Sequence, residues 1–197
     1  KTYGPLKSAC EQVATELAGG CSLIIRPGII VGPHDPTGRF AYWVRRLAAA
    51  EKFIAPGDGS ARLQIIDVRD LADWLVCMVE QQVTGFFNAV GPAVSLSFQA
   101  MIESGMAVLK SRATPVWVPA ERLIAAELDS GSMLPLWMPP TKSKFANMFG
   151  IEGRKAWATG LQLRPLEQTI IDVSVDEAKR NSAVAIGLSS EREQELL

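Results

Sequence analysis

Apolar residues recur at helical spacing from the start of the chain. Leu6, Cys10, Val13, Ala14 and Leu17 follow an i, i+3, i+4, i+7 pattern and predict a helix over 3–18. Pro5 is tolerated in a first turn, where no helical donor is needed from it, and Gly19-Gly20 stop the helix. The nearly unbroken apolar run 21–31 predicts a strand buried on both faces, broken at Pro27-Gly28. Residues 32–38 form a loop, and residues 39–50 a helix with Phe40, Trp43, Val44 and Leu47 on one face. Strands at 52–55 and 62–66 flank the turn Pro56-Gly57-Asp58-Gly59.

Asp67 is placed to cap a helix running to about Gln82, with Asp70 in its first turn and Arg69 exposed or paired with Asp73 at i+4. A strand over 86–90 ends at Gly91-Pro92, and Ser95 or Ser97 caps a helix reaching about Leu109. Residues 116–119 read as a short edge strand and 120–130 as a helix. Residues 131–141, rich in Trp, Met, Leu and Pro, read as a packed loop or lid, with a short helix over 144–149. An amphipathic helix over 165–179 and a last helix over 190–197 complete the chain. Helices alternating with buried strands give an α/β fold class.

Composition narrows the function classes. The 197 residues are 48% hydrophobic and 21% charged, enough for one domain or one and a half with a real core. A net charge of −1 and the lack of a basic run point away from nucleic acid. No apolar run reaches the roughly 18 residues of a membrane span, so no membrane partner is expected. Three widely spaced cysteines show neither a metal spacing nor a disulfide framework; they read as buried or half-buried thiols in a reducing, cytoplasmic setting. His34 is the only histidine and no Gly-x-Ser-x-Gly occurs, so neither a zinc site nor a serine-hydrolase triad is expected.

Tyr3 and Lys7 carry the chemistry. Four residues apart, they lie one turn apart on one helix face. A cation beside a phenol favours the phenolate and draws such a group toward acid/base work near neutral pH. A solvated helix start with Tyr3 half-buried is the plainer alternative.

Four segments in order carry a family resemblance: Tyr3-x-x-x-Lys7, Arg26-Pro27-Gly28-Ile29-Ile30-Val31-Gly32-Pro33, Ile66-Asp67-Val68-Arg69-Asp70-Leu71-Ala72, and Gly160 to Leu166 with Thr169 and Ile170. Together they resemble the C-terminal portion of an extended short-chain dehydrogenase/reductase of the NAD-dependent epimerase/dehydratase family. The resemblance implies an α/β fold in which 1–92 supply the last strands and helices of a Rossmann-type doubly wound sheet, with inserted substrate-loop elements. It further implies a small, mixed substrate-binding subdomain over 93–180 and a tail or helix over 181–197.

By resemblance, Tyr3 is the catalytic acid/base, and Lys7 holds the ribose of NAD or NADP and poises Tyr3. Pro27, Gly28, Ile29 and Ile30 meet the nicotinamide, and His34, Arg39 and Trp137 border a small-molecule substrate. The reaction class is oxidation, reduction or epimerisation at a carbonyl or alcohol, and two copies pair through the Tyr3 helix. The family's glycine-rich pyrophosphate loop is not among these residues, so the chain reads as part of a longer enzyme, inactive in isolation. A sheet lacking strands also leaves an apolar face exposed. Where nucleotide-sugar relatives carry an arginine, this chain has Leu63, with Arg62 one residue off and so on the opposite strand face. That shift and the apolar 131–141 segment favour a small carbonyl substrate. A non-catalytic sensor or scaffold on the same fold is the alternative.

Overall fold

The computed structural model describes residues 2–49, 51–128, 131–139, 147–180 and 185–197. Helix α1 (Tyr3–Leu17) leads into strand β1 (Leu23–Pro27), and the chain continues as β2 (Ile29–Val31) after a one-residue break at Gly28. Helix α2 (Arg39–Ala49), strands β3 (Lys52–Pro56), β4 (Arg62–Leu63) and β5 (Ile65–Asp67), and helix α3 (Val68–Glu80) follow. Strands β6 (Gly85–Ala89) and β7 (Leu96–Ser97), helix α4 (Phe98–Val108), strand β8 (Thr114–Val118) and helix α5 (Ala120–Ala125) come next. The chain ends with α6 (Arg154–Ala158), α7 (Leu166–Lys179) and α8 (Ser190–Gln194).

The strands join in pairs: β1 with β6, β2 with β5 and β3 with β8 run parallel, and β4 with β7 antiparallel. Parallel pairs reached through helical crossovers are α/β architecture, as the pattern predicts. The predicted caps are present: the Asp67 carboxylate accepts from the Arg69 amide, and Ser97 Oγ accepts from the Ala100 amide.

Two apolar cores form. The larger one joins α2, β3, α4 and α7 around Trp43, which meets Tyr42, Phe53 and Phe98 edge-on with ring centroids 4.9, 6.4 and 4.9 Å away. Its indole N–H donates to the Pro135 carbonyl at 2.7 Å, which satisfies the one polar atom that burial of the ring would strand. The smaller core joins α3, β6 and α6 around Trp74, Met78 and Phe87.

A polar knot ties these cores together. Asp67, at the end of β5, accepts from the Arg69 amide, two nitrogens of the Arg69 side chain, and Thr169 Oγ1 on α7, all at 2.8–2.9 Å. Arg69 also donates to Asp172 on α7 at 2.6 Å. Asp70 takes the Arg164 amide at 2.9 Å and its Nε at 2.6 Å. Buried carboxylates are tolerated because each oxygen is paired with charged or amide donors. Burial pushes the Asp67 carboxyl up; the hydrogen bonds from Arg69 and Thr169, with Arg164 nearby, outweigh it, and the net direction is down.

Several expectations are corrected. Arg69 pairs with Asp67 and Asp172, not Asp73. All three cysteines are exposed, because the α1 stripe carrying Cys10 has no cover and Cys77 faces out from α3. Tyr3 is 77% exposed rather than half-buried, and α1 buries none of its residues. The exposed apolar residues Leu6, Val13 and Leu17 on α1 and Val76 and Val79 on α3 form a helical surface, whereas the expectation was for a face of the sheet. Helix α5 stops at Ala125 and α8 at Gln194, while α6 arises where no element was expected. Residues 129–130 and 140–146, including the first half of the predicted 144–149 helix, lie outside the described residues, and 147–149 form a turn. Among the described residues no helix is long and apolar enough to cross a membrane.

Removing Arg164 leaves Asp70 buried without its guanidinium partner. Breaking a buried pair costs about 3–5 kcal/mol, and Arg164 keeps some solvent contact, so Arg164→Ala is expected to cost about 3 kcal/mol in urea unfolding. A loss below about 0.5 kcal/mol, the level of an ordinary surface change, would contradict the knot. The acid limb carries the same signature. Asp67 and Asp172 have folded values below the unfolded 3.8, so their contribution is complete above that value and is lost as pH falls through the lowered folded values. Thermal midpoints should therefore drop below about pH 4, and the drop should be shallower in Asp67→Asn.

Candidate functional site

Helix α1 presents Tyr3 and Lys7 on one face, with Lys7 Nζ 5.9 Å from the Tyr3 ring centroid. Helix α1 has no fully buried residue, and an ion pair joins it to β1. Glu11 takes Arg26 Nε at 2.8 Å and Nη2 at 2.5 Å, a two-pronged contact that fixes orientation as well as distance. The Arg26 hydrogen bond, against a small opposing effect of burial, lowers the Glu11 carboxyl below its ordinary range. The Arg26 guanidinium also lies 5.3 Å from the Phe86 ring centroid, so it is held on two sides.

At Gly28 the chain changes neighbours. The Gly28 amide donates to Ala89 at the end of β6, whereas the next amide, Ile29, donates to Gln64 beside β5. Here the glycine is needed for room: a Cβ would lie 3.2 Å from the Gln64 carbonyl oxygen and 3.5 Å from the Val90 side chain. Divergence of parallel strands at their carboxyl ends opens the kind of crevice in which α/β proteins bind ligands.

The loop after β2 rims that crevice. Asp35 makes the expected Asx turn, accepting from the Thr37 amide at 2.8 Å and Thr37 Oγ1 at 2.9 Å. Arg39 Nε reaches Thr37 Oγ1 at 3.2 Å. His34 has a φ of 66° and is held by Asp176 on α7, which takes its amide at 2.9 Å.

The resulting cleft has a volume of about 970 Å³ and gathers Tyr3, Lys7, Pro27, Gly28, Ile29, Ile30, His34 and Arg39. Trp137 lies elsewhere: it is 2% exposed, part of the larger core, and lines a separate cavity of about 570 Å³ beyond the ends of β3 and β8. Core packing claims its ring because the 131–139 segment folds under α2. Arg62 lines that second cavity while Leu63 is buried, as strand alternation requires. Sequence reasoning missed Glu11 and Arg26, which hold the cleft's helix, and Met148, Phe149 and Ile151, which line its far side. The acid–base spacing of Glu11 and Arg26 carries no local signal, as they lie on different elements.

Residues 1–89 match the NAD dependent epimerase/dehydratase family. No curated protein matches the sequence. Among solved structures, RMD from Pseudomonas aeruginosa complexed with NADPH aligns at a TM-score of 0.58 and 14% identity, over 86% of this chain and 54% of that one. The UDP-glucuronic acid 4-epimerase from Bacillus cereus, in complex with NAD, aligns at 0.58 and 15%, over 94% and 53%. The human epimerase family protein SDR39U1 with NADPH aligns at 0.53 and 20%, over 78% and 48%. The chain thus spans about half the length of these structures. Three of the four sequence segments behind the resemblance lie within the residues that match this family, and the solved structures share the fold.

Space at Gly28 sets a prediction. Gly28→Val forces a branched side chain against the Gln64 carbonyl, and overpacking of this kind costs about 1–3 kcal/mol. Thermal unfolding should show that loss for Gly28→Val and a smaller one for Gly28→Ala; a neutral Gly28→Val would mean that the backbones do not approach as described.

Proposed function

We propose that this chain forms the catalytic and substrate-facing part of an NAD(P)-dependent enzyme that interconverts a carbonyl and an alcohol on a small molecule. The observation that carries the reading is convergence. Tyr3 and Lys7 from α1 and the Pro27–Ile30 bend from the strands line a single cleft, and residues 1–89 match a family described as NAD dependent.

The residues fit a dinucleotide's nicotinamide end. Gly28 lets the chain pass close to the Gln64 carbonyl, and Ile25, Pro27 and Ile29 supply apolar surface for a flat ring. Lys7 brings three donors and no acceptor, suited to ribose hydroxyls. When bound, the nicotinamide supplies the hydride acceptor or donor. Tyr3 then serves as the group that gives a proton to a carbonyl oxygen or takes it from an alcohol. Lys7 Nζ lies 5.9 Å from the Tyr3 ring centroid, so the two side chains share one helix face at the mouth of the cleft. Glu11 and Arg26 keep α1 at the distance this needs.

Titration of the gene product carrying these residues with NADPH and NADH, followed by nicotinamide fluorescence, should show saturable binding. Lys7→Ala should weaken it about tenfold or more, the loss expected of a charged hydrogen bond. Tyr3→Phe should lower kcat by about 10²–10⁴, the span of general acid/base contributions, with NADPH still bound. No binding, or a fully active Tyr3→Phe enzyme, would overturn the reading.

A further inference from the structure

Strand alternation turns Gln64 away from the core. Its neighbours Leu63 and Ile65 are buried, and Gln64 itself lines the cleft. Both halves of its side-chain amide are used on one residue. Gln64 Nε2 donates to the Ile151 carbonyl at 2.8 Å, and Gln64 Oε1 accepts from the Ile151 amide at 3.0 Å. Only one orientation of the amide satisfies both bonds, since the flipped form would set donor against donor and acceptor against acceptor. The Gln64 backbone carbonyl accepts from the Ile29 amide at 3.2 Å, next to the Gly28 bend. One residue thus ties the bend on one side of the cleft to the segment before α6 on the other.

The segment held in this way carries a partition. Phe149, two residues before Ile151, is half-buried in a turn closed by the Gly150 amide on the Asn147 carbonyl at 3.1 Å. Phe149 lines the cleft of Tyr3 and Lys7, and it also lines the second cavity of about 570 Å³. It therefore stands between the two spaces. The chain beyond it has fastenings of its own: Asn88 Nδ2 donates to the Glu152 carbonyl at 3.1 Å, and Trp157 Nε1 to the Val90 carbonyl at 3.0 Å. Loss of the Gln64 amide would leave those bonds in place and free the turn that carries Phe149.

We propose that Gln64 is a positioning residue that fixes Phe149 as the end wall of the substrate space. The cleft then takes short carbonyl compounds and excludes those whose chains would run on into the second cavity. A fixed apolar wall selects by the cost of displacing it, not by any contact with the part it excludes. The proposal rests on the reading of the cleft as the site of NAD(P)-dependent carbonyl chemistry. It adds a limit on substrate length, and two residues, Gln64 and Phe149, that lie outside the four family segments.

Hydrogen exchange and kinetics on the full gene product test it. The Ile151 amide should exchange about tenfold faster in Gln64→Met, which keeps the length of the side chain without its amide. It should stay protected in Gln64→Glu, whose carboxylate still accepts. An Ile151 amide that exchanges at one rate in the wild type and in Gln64→Met overturns the proposal. The second experiment compares NADPH oxidation with propanal and with heptanal. The wild type should favour propanal by about tenfold or more in kcat/KM, the scale on which apolar pockets sort substrates by size. Gln64→Met and Phe149→Ala should each bring that ratio toward one. The double variant should go no further than Phe149→Ala, because both changes act through one ring. A wild type without preference overturns the proposal, as does a ratio that survives Phe149→Ala while both rates fall together. No turnover of either aldehyde overturns the carbonyl-chemistry reading and the length limit with it, and exchange at Ile151 then decides the Gln64 clamp alone.

Discussion

The paired carboxylates Asp67 and Asp70, with Arg69 and Arg164, are the constraint on which the rest of the structure depends. Asp67 ends β5 and starts α3; Thr169 and Asp172 stand on α7; Arg164 belongs to the segment before α7. The knot therefore fastens the larger core, which includes Ile170 and Val173, to the smaller one, which includes Trp74 and Leu161. Its worth lies less in raw stability than in register. Each carboxylate accepts from a particular amide as well as from a guanidinium, and a slip of one residue would strand buried charge. The position of α7 follows from it, and α7 in turn carries Asp176 and Arg180 to the rim of the cleft.

The other side of the cleft is held far more lightly. Helix α1 has no fully buried residue and touches β1 through Glu11, half-buried, and Arg26, exposed. Screened surface pairs contribute little to stability, so the Tyr3 face is positioned by geometry more than by packing. The open apolar stripe of Leu6, Val13 and Leu17, together with Val76 and Val79 on α3, is the kind of surface that further chain or a second copy covers. A heavily anchored substrate rim facing a lightly anchored catalytic helix is the physical character of this site.

Much of this was legible in the sequence, for local reasons. Gly19-Gly20, the Asp67 cap and the Ser97 cap set element ends through backbone chemistry a few residues long. The Pro27-Gly28 break was visible, and with it the bend that opens the cleft. Tyr3, Lys7, Gly28, His34 and Arg39 line one cleft. What stayed hidden was long-range. Arg69 was matched to Asp73 by helix spacing, whereas its partner Asp172 lies 103 residues away. Trp137 packs into the larger core and lines the second cavity, not the cleft of Tyr3 and Lys7, because long-range packing of the 131–139 segment sets which cavity it meets. The apolar stripe of α1 announced a helix but not whether anything covers it, since burial depends on the neighbours and periodicity does not name them. Helix α6, five residues long, has too few turns to leave a periodic trace.

The convergence of Tyr3, Lys7 and the Gly28 bend on one bound nicotinamide is tested most directly by a crystal structure of the gene product grown with NADPH. The nicotinamide ring should lie against Pro27–Ile29, with Lys7 Nζ on the ribose hydroxyls and Tyr3 Oη beside the carbon that gives up hydride. A nicotinamide bound away from the Gly28 bend, with Tyr3 and Lys7 facing solvent, would contradict it.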